Sequence, residues 1–231
     1  MSDRIAIVTG GAGALGGAVT NRLLADGAHV CVPLELAADG DALRGRIATA
    51  EGNRLFTDVV DLTDLDAMNR FTGGVVRRHG RVDILVATVG GFAGGALIET
   101  DRPTWDRMLA MNLTATFVAA RAVVPYMVAA GSGRVVTIGS RAVVPPGAGF
   151  IAYTTGKAGV IAFTQALARE MEPHGITVNC ILPSTMDTPA NRAAMPDSDR
   201  KGWVPVESVA EAIAFLVSEA AGHVTGALLT V

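Results

Sequence analysis

At 231 residues, half of them apolar, the chain has the length of one large α/β domain and is too apolar to be disordered. Its formal charge of -3, with no cluster of Lys or Arg, leaves no footprint for nucleic acid or an anionic membrane surface, so a small-molecule partner is expected. Asp3 and Arg4 follow Met1 directly and no uncharged apolar run has the length of a membrane span, which predicts a cytoplasmic protein without a signal peptide.

In chain order, seven short runs read as strands, at residues 4–9, 29–32, 54–59, 82–88, 134–138, 176–182 and 227–231, with helical stretches between them. Continuous apolar runs such as Ile84-Leu85-Val86 and Val135-Val136-Thr137-Ile138 suit a parallel sheet covered on both faces, where neither side of a strand can be polar. The pattern predicts a single doubly wound α/β domain over residues 1–231, with a seven-stranded, mainly parallel sheet. Cys31 and Cys180 lie in apolar strand runs and read as free buried thiols. His29, His79, His174 and His223 lack metal-like spacing and read as structural or solvent-facing, so no metal is expected. Met108, Met111, Phe117 and Val118 read as helix core or subunit contact, in a helix that Pro125 is expected to kink. The one long irregular stretch read from the sequence is 183–205, with Pro183, Pro189, Pro196 and Pro205. It has the length of a lid over a site.

The first strand runs into Thr9-Gly10-Gly11-Ala12-Gly13-Ala14-Leu15-Gly16 and then a helix reaching Ala25. Glycines permit a tight turn and a close backbone approach to a pyrophosphate, whose charge is met by free N–H groups at the helix start. A glycine-rich turn also occurs without a ligand, but the order strand, turn, helix is the one a dinucleotide needs.

Tyr153 and Lys157 are four apart in the helical stretch 151–171 and therefore share a face. Lowering a phenol by about three pKa units takes roughly 4 kcal/mol. A cation about 4 Å away supplies roughly that at an effective dielectric of 20, with burial of the phenolate opposing it. Ser140 follows the strand ending at Ile138, at the carboxyl end where ligands of open parallel sheets sit.

The spacing Thr9-Gly10-x-x-x-Ala14-x-Gly16 resembles the cofactor turn of the short-chain dehydrogenase/reductase family. The resemblance runs on through Asp61-Leu62, Gly90, Asn112, Ser140, Tyr153, Lys157, Asn179, Pro183 and Thr188. It implies a Rossmann-type fold and an NAD(P)-dependent oxidoreductase that moves a hydride between nicotinamide and a carbonyl or secondary alcohol. In that likeness Tyr153 is general acid/base and Ser140 holds the substrate carbonyl. Lys157 binds ribose hydroxyls and tunes the tyrosine, and Asn112 continues a proton relay. The implied cofactor contacts are Gly10, Gly13, Ala14, Leu15, Gly16, Glu35, Asp61, Leu62, Gly90, Tyr153, Lys157, Pro183 and Thr188. It also implies a homodimer or homotetramer, through the apolar stretch 108–130 and the last strand.

Ala87-Thr88-Val89-Gly90 stands where the family commonly has Asn-Asn-Ala-Gly, and Ser184 replaces a usual glycine. The lid and the Gly91–Gly95 turn resemble those of quinonoid dihydropteridine reductases, which lack the serine present here as Ser140. A dihydropteridine-type reductase is therefore an alternative, and a non-catalytic dinucleotide-binding regulator another. The intact Tyr153 and Lys157 speak against the regulator. NAD is expected over NADP, because Glu35 closes the second strand and residues 9–16 hold no basic group. A carboxylate about 5 Å from a 2'-phosphate would repel it by roughly 3 kcal/mol at an effective dielectric of 20. Leu34 occupies the usual acidic position and Glu35 comes one later. Pro33 bending the strand would restore Glu35 to the site, while Arg44 or Arg46 folding back would favour the phosphate.

Overall fold

The fold is that of a computed structural model, which describes residues 1–47 and 51–231. One sheet orders its strands β3 (Leu55–Val59), β2 (His29–Leu34), β1 (Ile5–Thr9), β4 (Ile84–Ala87), β5 (Gly133–Ile138), β6 (Ile176–Leu182) and β9 (Leu228–Thr230), every pairing parallel. The strand order reverses between β1 and β4, and that reversal opens a crevice at the carboxyl ends of the strands.

β1, β4 and β6 are buried along their whole length, as a strand covered on both faces must be; β6 buries Thr177 and Asn179 among its apolar residues. Alternate side chains feed two cores. On one face Val8, Val30, Val32 and Leu34 pack with Leu15, Val19 and Leu23 of α1 (Ala14–Ala25) and with Val209 and Ile213 of α8 (Val206–Leu216). On the other, Ile5, Ile7 and Cys31 pack with Phe71 and Val75 of α3 (Leu65–His79) and with Val118, Ala122 and Met127 of α5 (Ala115–Ala130). α3 is delimited by its own sequence. Asp64 accepts from the Asp66 and Ala67 N–H groups, Gly80 ends the helix at φ +80, and Arg77 and Arg78 face the negative end of the dipole. Cys31 and Cys180 are free and buried.

β2 continues through Pro33 to Leu34, paired with β3 as Pro33↔Asp58 and Leu34↔Val59, so the proline does not end the strand. Its pairing with β1 stops at Ile7↔Cys31, and the missing proline N–H interrupts no ladder on that side. The stretch 183–205 is not irregular. It forms β7 (Met186–Asp187) paired with β8 (Val204–Pro205), α7 (Pro189–Ala194) and a 3-10 turn at Arg200–Gly202. The segments lacking regular strands and long helices near the crevice lie instead at 88–101 and 139–150.

The apolar stretch 108–130 belongs to a longer helical run. α4 (Arg102–Leu109), capped by Asp101, leads into a π-helical turn at Ala110–Thr114 and then into α5, which stays helical past Pro125. By length and composition the run 102–130 could cross a membrane, but half of its apolar window is buried within the fold, as in a core helix.

Candidate active site

The glycine-rich turn joins β1 to α1. Gly10 holds φ +70, and a Cβ on Gly16 would fall 2.1 Å from the Gly10 carbonyl oxygen, so the close approach of helix and strand excludes any side chain there. Gly13 caps α1 without a side-chain hydrogen bond, and the first turn, from Ala14 through Leu15 and Gly16, carries no acidic residue. The free amides and the positive helix end suit a pyrophosphate. Thr88 Oγ1 donates to the Thr9 carbonyl at 2.6 Å and ties the ends of β1 and β4 together.

Around this turn the chain brings most of the expected residues to the carboxyl ends of the strands. Glu35 is exposed directly after β2, whereas Leu34 is buried in the core and packs where a Cβ on Gly40 would go. Arg46 reaches back over the turn: its Nη2 donates to the Ala12 carbonyl at 2.6 Å, while Arg44 donates to Thr57 Oγ1. Asp61, exposed beyond β3, accepts from the Thr63 hydroxyl and N–H. These bonds, the side-chain one foremost, hold its carboxyl below the usual range. Leu62 packs at the edge of the core beside it. Beyond β6, Pro183 accepts from the Arg141 N–H through its carbonyl, and Thr188 caps α7 by accepting from the Asn191 N–H.

Tyr153 and Lys157 lie on α6 (Ile151–Met171), one turn apart. Lys157 is 6% exposed and donates to the Ile138 carbonyl at 2.9 Å. Burial lowers its pKa to about 8. Burial also raises the Tyr153 phenol, an effect partly offset by the Ser140 hydroxyl. The lowering of Tyr153 by Lys157 expected from their spacing is not realised in the free protein: burial is the largest influence on the phenol, and Lys157 donates to Ile138. Ser140 is buried just past β5, and its Oγ accepts from the Ala142 N–H at 3.2 Å.

Asn112 is fully buried in the π-helical turn, a feature the sequence reading missed; such turns recur at functional sites. Its amide nitrogen donates to the Gly91 and Met108 carbonyls, and its oxygen accepts from the Gly91 N–H at 3.3 Å. The side chain therefore positions the loop after β4. A Cβ on Gly90 would lie 2.8 Å from Asn112 Oδ1 and 3.0 Å from Lys157 Nζ, so only a glycine leaves both groups room. Gly156 lets α6 approach this turn: a Cβ there would meet Asn112 Cβ and the Met108 carbonyl at 3.3 Å. A helix-interior glycine costs about 1 kcal/mol relative to alanine, and close packing is what it provides here.

A glycine-rich turn at the switch point that suits a pyrophosphate, with buried Lys157 and Ser140 and half-buried Tyr153 beyond β5, is the arrangement a nucleotide-dependent oxidoreductase needs. Comparison with known proteins agrees. The family described as short chain dehydrogenase matches residues 4–199, and the chain belongs to that family. Its members are NAD(P)-dependent enzymes acting on alcohol and carbonyl groups, and this chain is an oxidoreductase of that kind. Among its relatives, nodulation protein G of Azospirillum brasilense is 34% identical, covering 100% of this chain and 97% of that protein. Acetoacetyl-CoA reductase of Allochromatium vinosum is 33% identical over 99% of this chain and 96% of its own. The crystal structure of gox2181 superposes with a TM-score of 0.92 at 29% identity, covering 100% of this chain and 95% of the other. These matches support the family as a whole; none of them bears specifically on the dihydropteridine-type alternative.

Proposed function

We propose that this enzyme reversibly reduces a carbonyl to a secondary alcohol, with Tyr153 as the general acid/base. The observation that carries this reading is the convergence of buried Lys157 and Ser140 with half-buried Tyr153 at the carboxyl end of β5. The free amides of residues 14–16 would hold the pyrophosphate of a nicotinamide dinucleotide, which would supply or accept the hydride.

In reduction, the Tyr153 hydroxyl gives its proton to the substrate oxygen as the carbonyl bond becomes an alcohol, and Ser140 Oγ hydrogen-bonds the same oxygen while charge builds on it. The raised phenol pKa keeps Tyr153 protonated at neutral pH but makes it a weaker acid, so donation needs a nearby cation to stabilise the phenolate. Lys157, released from Ile138, would meet the ribose hydroxyls and stabilise the phenolate left behind. Asn112 holds Gly91 beside this path, and the proton relay continues through it.

The remaining parts of this reading concern cofactor and assembly. NAD is the preferred cofactor because the exposed Glu35 directly follows β2, with Asp61, Leu62, Pro183 and Thr188 completing its contacts. The protein works as a homodimer or homotetramer. Phe117 and Tyr126 on α5, and Phe215 and Leu229 near the β9 edge, are large apolar groups left exposed and support such contacts. Free buried thiols fit the reducing cytoplasm. The test is a cofactor-absorbance assay of ketones and secondary alcohols with NADH/NAD and NADPH/NADP side by side. Absence of turnover across that panel, with a folded protein that binds nucleotide, favours the regulator instead.

A further inference from the structure

Only 5% of the residues are aromatic, yet three of those rings meet at one point of the crevice. Phe92 stands edge-on to Tyr153 with ring centroids 5.1 Å apart, Phe150 lies 6.2 Å from Tyr153, and Phe92 and Phe150 are 5.9 Å from each other. Such tilted and edge-on contacts are favourable arrangements of aromatic pairs.

Phe92 and Phe150 come from different loops, and the backbone fastens those loops together. The Gly95 N–H donates to the Gly149 carbonyl at 2.8 Å, and the Ile151 N–H returns to the Gly95 carbonyl at 3.3 Å. Behind Phe92 the loop is pinned by Asn112 through Gly91 and pressed against Met111, whose sulfur would lie 2.4 Å from a Cβ on Gly91. The two loops are therefore tied to each other and to Asn112, while Phe92 itself remains 65% exposed. A large ring held beside the proton donor but left open to solvent contributes little to the core. Leu97, Ile98 and Val144 are further exposed apolar side chains on the same two loops.

We infer that Phe92 and Phe150 form a ring-binding wall that selects a neutral substrate carrying a planar apolar ring. The ring packs on Phe92 and Phe150, and the carbonyl or hydroxyl is directed to Ser140 and Tyr153. The inference rests on the carbonyl reductase reading above and names the substrate class of that same site. The Phe92 loop offers no charged recognition of the substrate body, since residues 91–98 carry no ionisable side chain, and the Phe150 loop carries one ionisable residue, Arg141, beside Ser140.

The probes are two unconjugated methyl ketones, 4-phenyl-2-butanone and 2-octanone, used with the enzyme and reduced nucleotide. The wild type is expected to favour the ring-bearing ketone. Phe92→Ala, at an exposed position, should lower the ratio of the two kcat/KM values about tenfold, mainly through KM, and Phe92→Tyr should restore it. Saturation transfer from protein to the phenyl protons, read by NMR, should be present in the wild type and lost in Phe92→Ala. Ring binding without turnover would uphold the wall and count against the reductase reading. Turnover of both ketones with a ratio that Phe92→Ala leaves unmoved would overturn the wall and leave the reductase reading standing. Absence of both ring binding and turnover would overturn the wall as well.

Discussion

Lys157 donates from its ammonium to the Ile138 carbonyl at 2.9 Å, which joins the helix bearing Tyr153 to the last residue of β5. Ser140 begins two residues further on, so this one bond sets the separation between the proton donor's helix and the strand end that holds the serine. It does so with a cation buried almost completely, and that burial has a measurable cost.

Lys157→Met is expected to stabilise the nucleotide-free protein at pH 7. The folded-state pKa of about 8 lies below the ordinary 10.5, so the unfolded chain binds more protons between those values and wild-type stability rises with pH across that window. The penalty on the charged form, at most about 3 kcal/mol, is fully present below pH 8 and relieved by pH 10.5. Loss of the bond to Ile138 offsets part of it, by about 1 kcal/mol or more. Urea unfolding at pH 7 and pH 10 should show the variant's advantage shrinking with pH. A difference constant across both conditions would contradict the buried-cation account. The same variant should bind nucleotide more weakly.

Tyr153→Phe keeps the ring that Phe92 and Phe150 contact and removes only the hydroxyl. Turnover should fall by about 10²–10⁴-fold, the usual worth of a general acid/base, with nucleotide Kd within about threefold of wild type. Undiminished kcat would remove Tyr153 from the mechanism. Ser140→Ala is expected to lower kcat as well, by a smaller factor, since one hydrogen bond to the developing oxyanion is lost.

Gly16→Ala tests the fit of the glycine turn. The added Cβ would sit 2.1 Å from a backbone carbonyl that cannot rotate away, so α1 must move off β1. Overpacking of this kind costs about 1–3 kcal/mol. Because the same amides would hold the pyrophosphate, nucleotide affinity by calorimetry should fall about tenfold or more together with Tm. Wild-type affinity in a destabilised variant would separate the turn from nucleotide binding.

Cofactor choice turns on two side chains at the adenosine end. Glu35 is exposed, and screening by water reduces its repulsion of a 2'-phosphate, so a preference for NADH of about tenfold in kcat/KM is expected. Glu35→Gln should narrow the preference. Arg46, bonded to Ala12 beside the glycine turn, is the opposing charge, and Arg46→Ala should widen it. A wild-type kcat/KM with NADPH equal to that with NADH or above it would assign the decision to Arg46.

Light scattering should give a dimer or tetramer mass at micromolar concentration. Phe117→Asp on the exposed face of α5 should lower that mass. A monomeric wild type would rule out the assembly.

The strands, the glycine turn and the Tyr153–Lys157 pair were legible in the amino-acid sequence because each is a local pattern. A strand covered on both faces is an unbroken apolar run, a phosphate turn is a run of glycines between strand and helix, and residues four apart on a helix share a face. Tertiary structure alone decided where those groups point. Lys157 turns to Ile138 rather than to Tyr153, and Arg46 crosses to Ala12. Asn112 holds Gly91 from a π-helical turn, and the stretch 183–205 organises itself by pairing β7 with β8. Phe92 meets Phe150 only because Gly95 and Gly149 bond across the crevice. Each of these contacts joins residues that local periodicity does not relate, and each is set by where the sheet and its helices bring distant backbone donors, acceptors and apolar surfaces together.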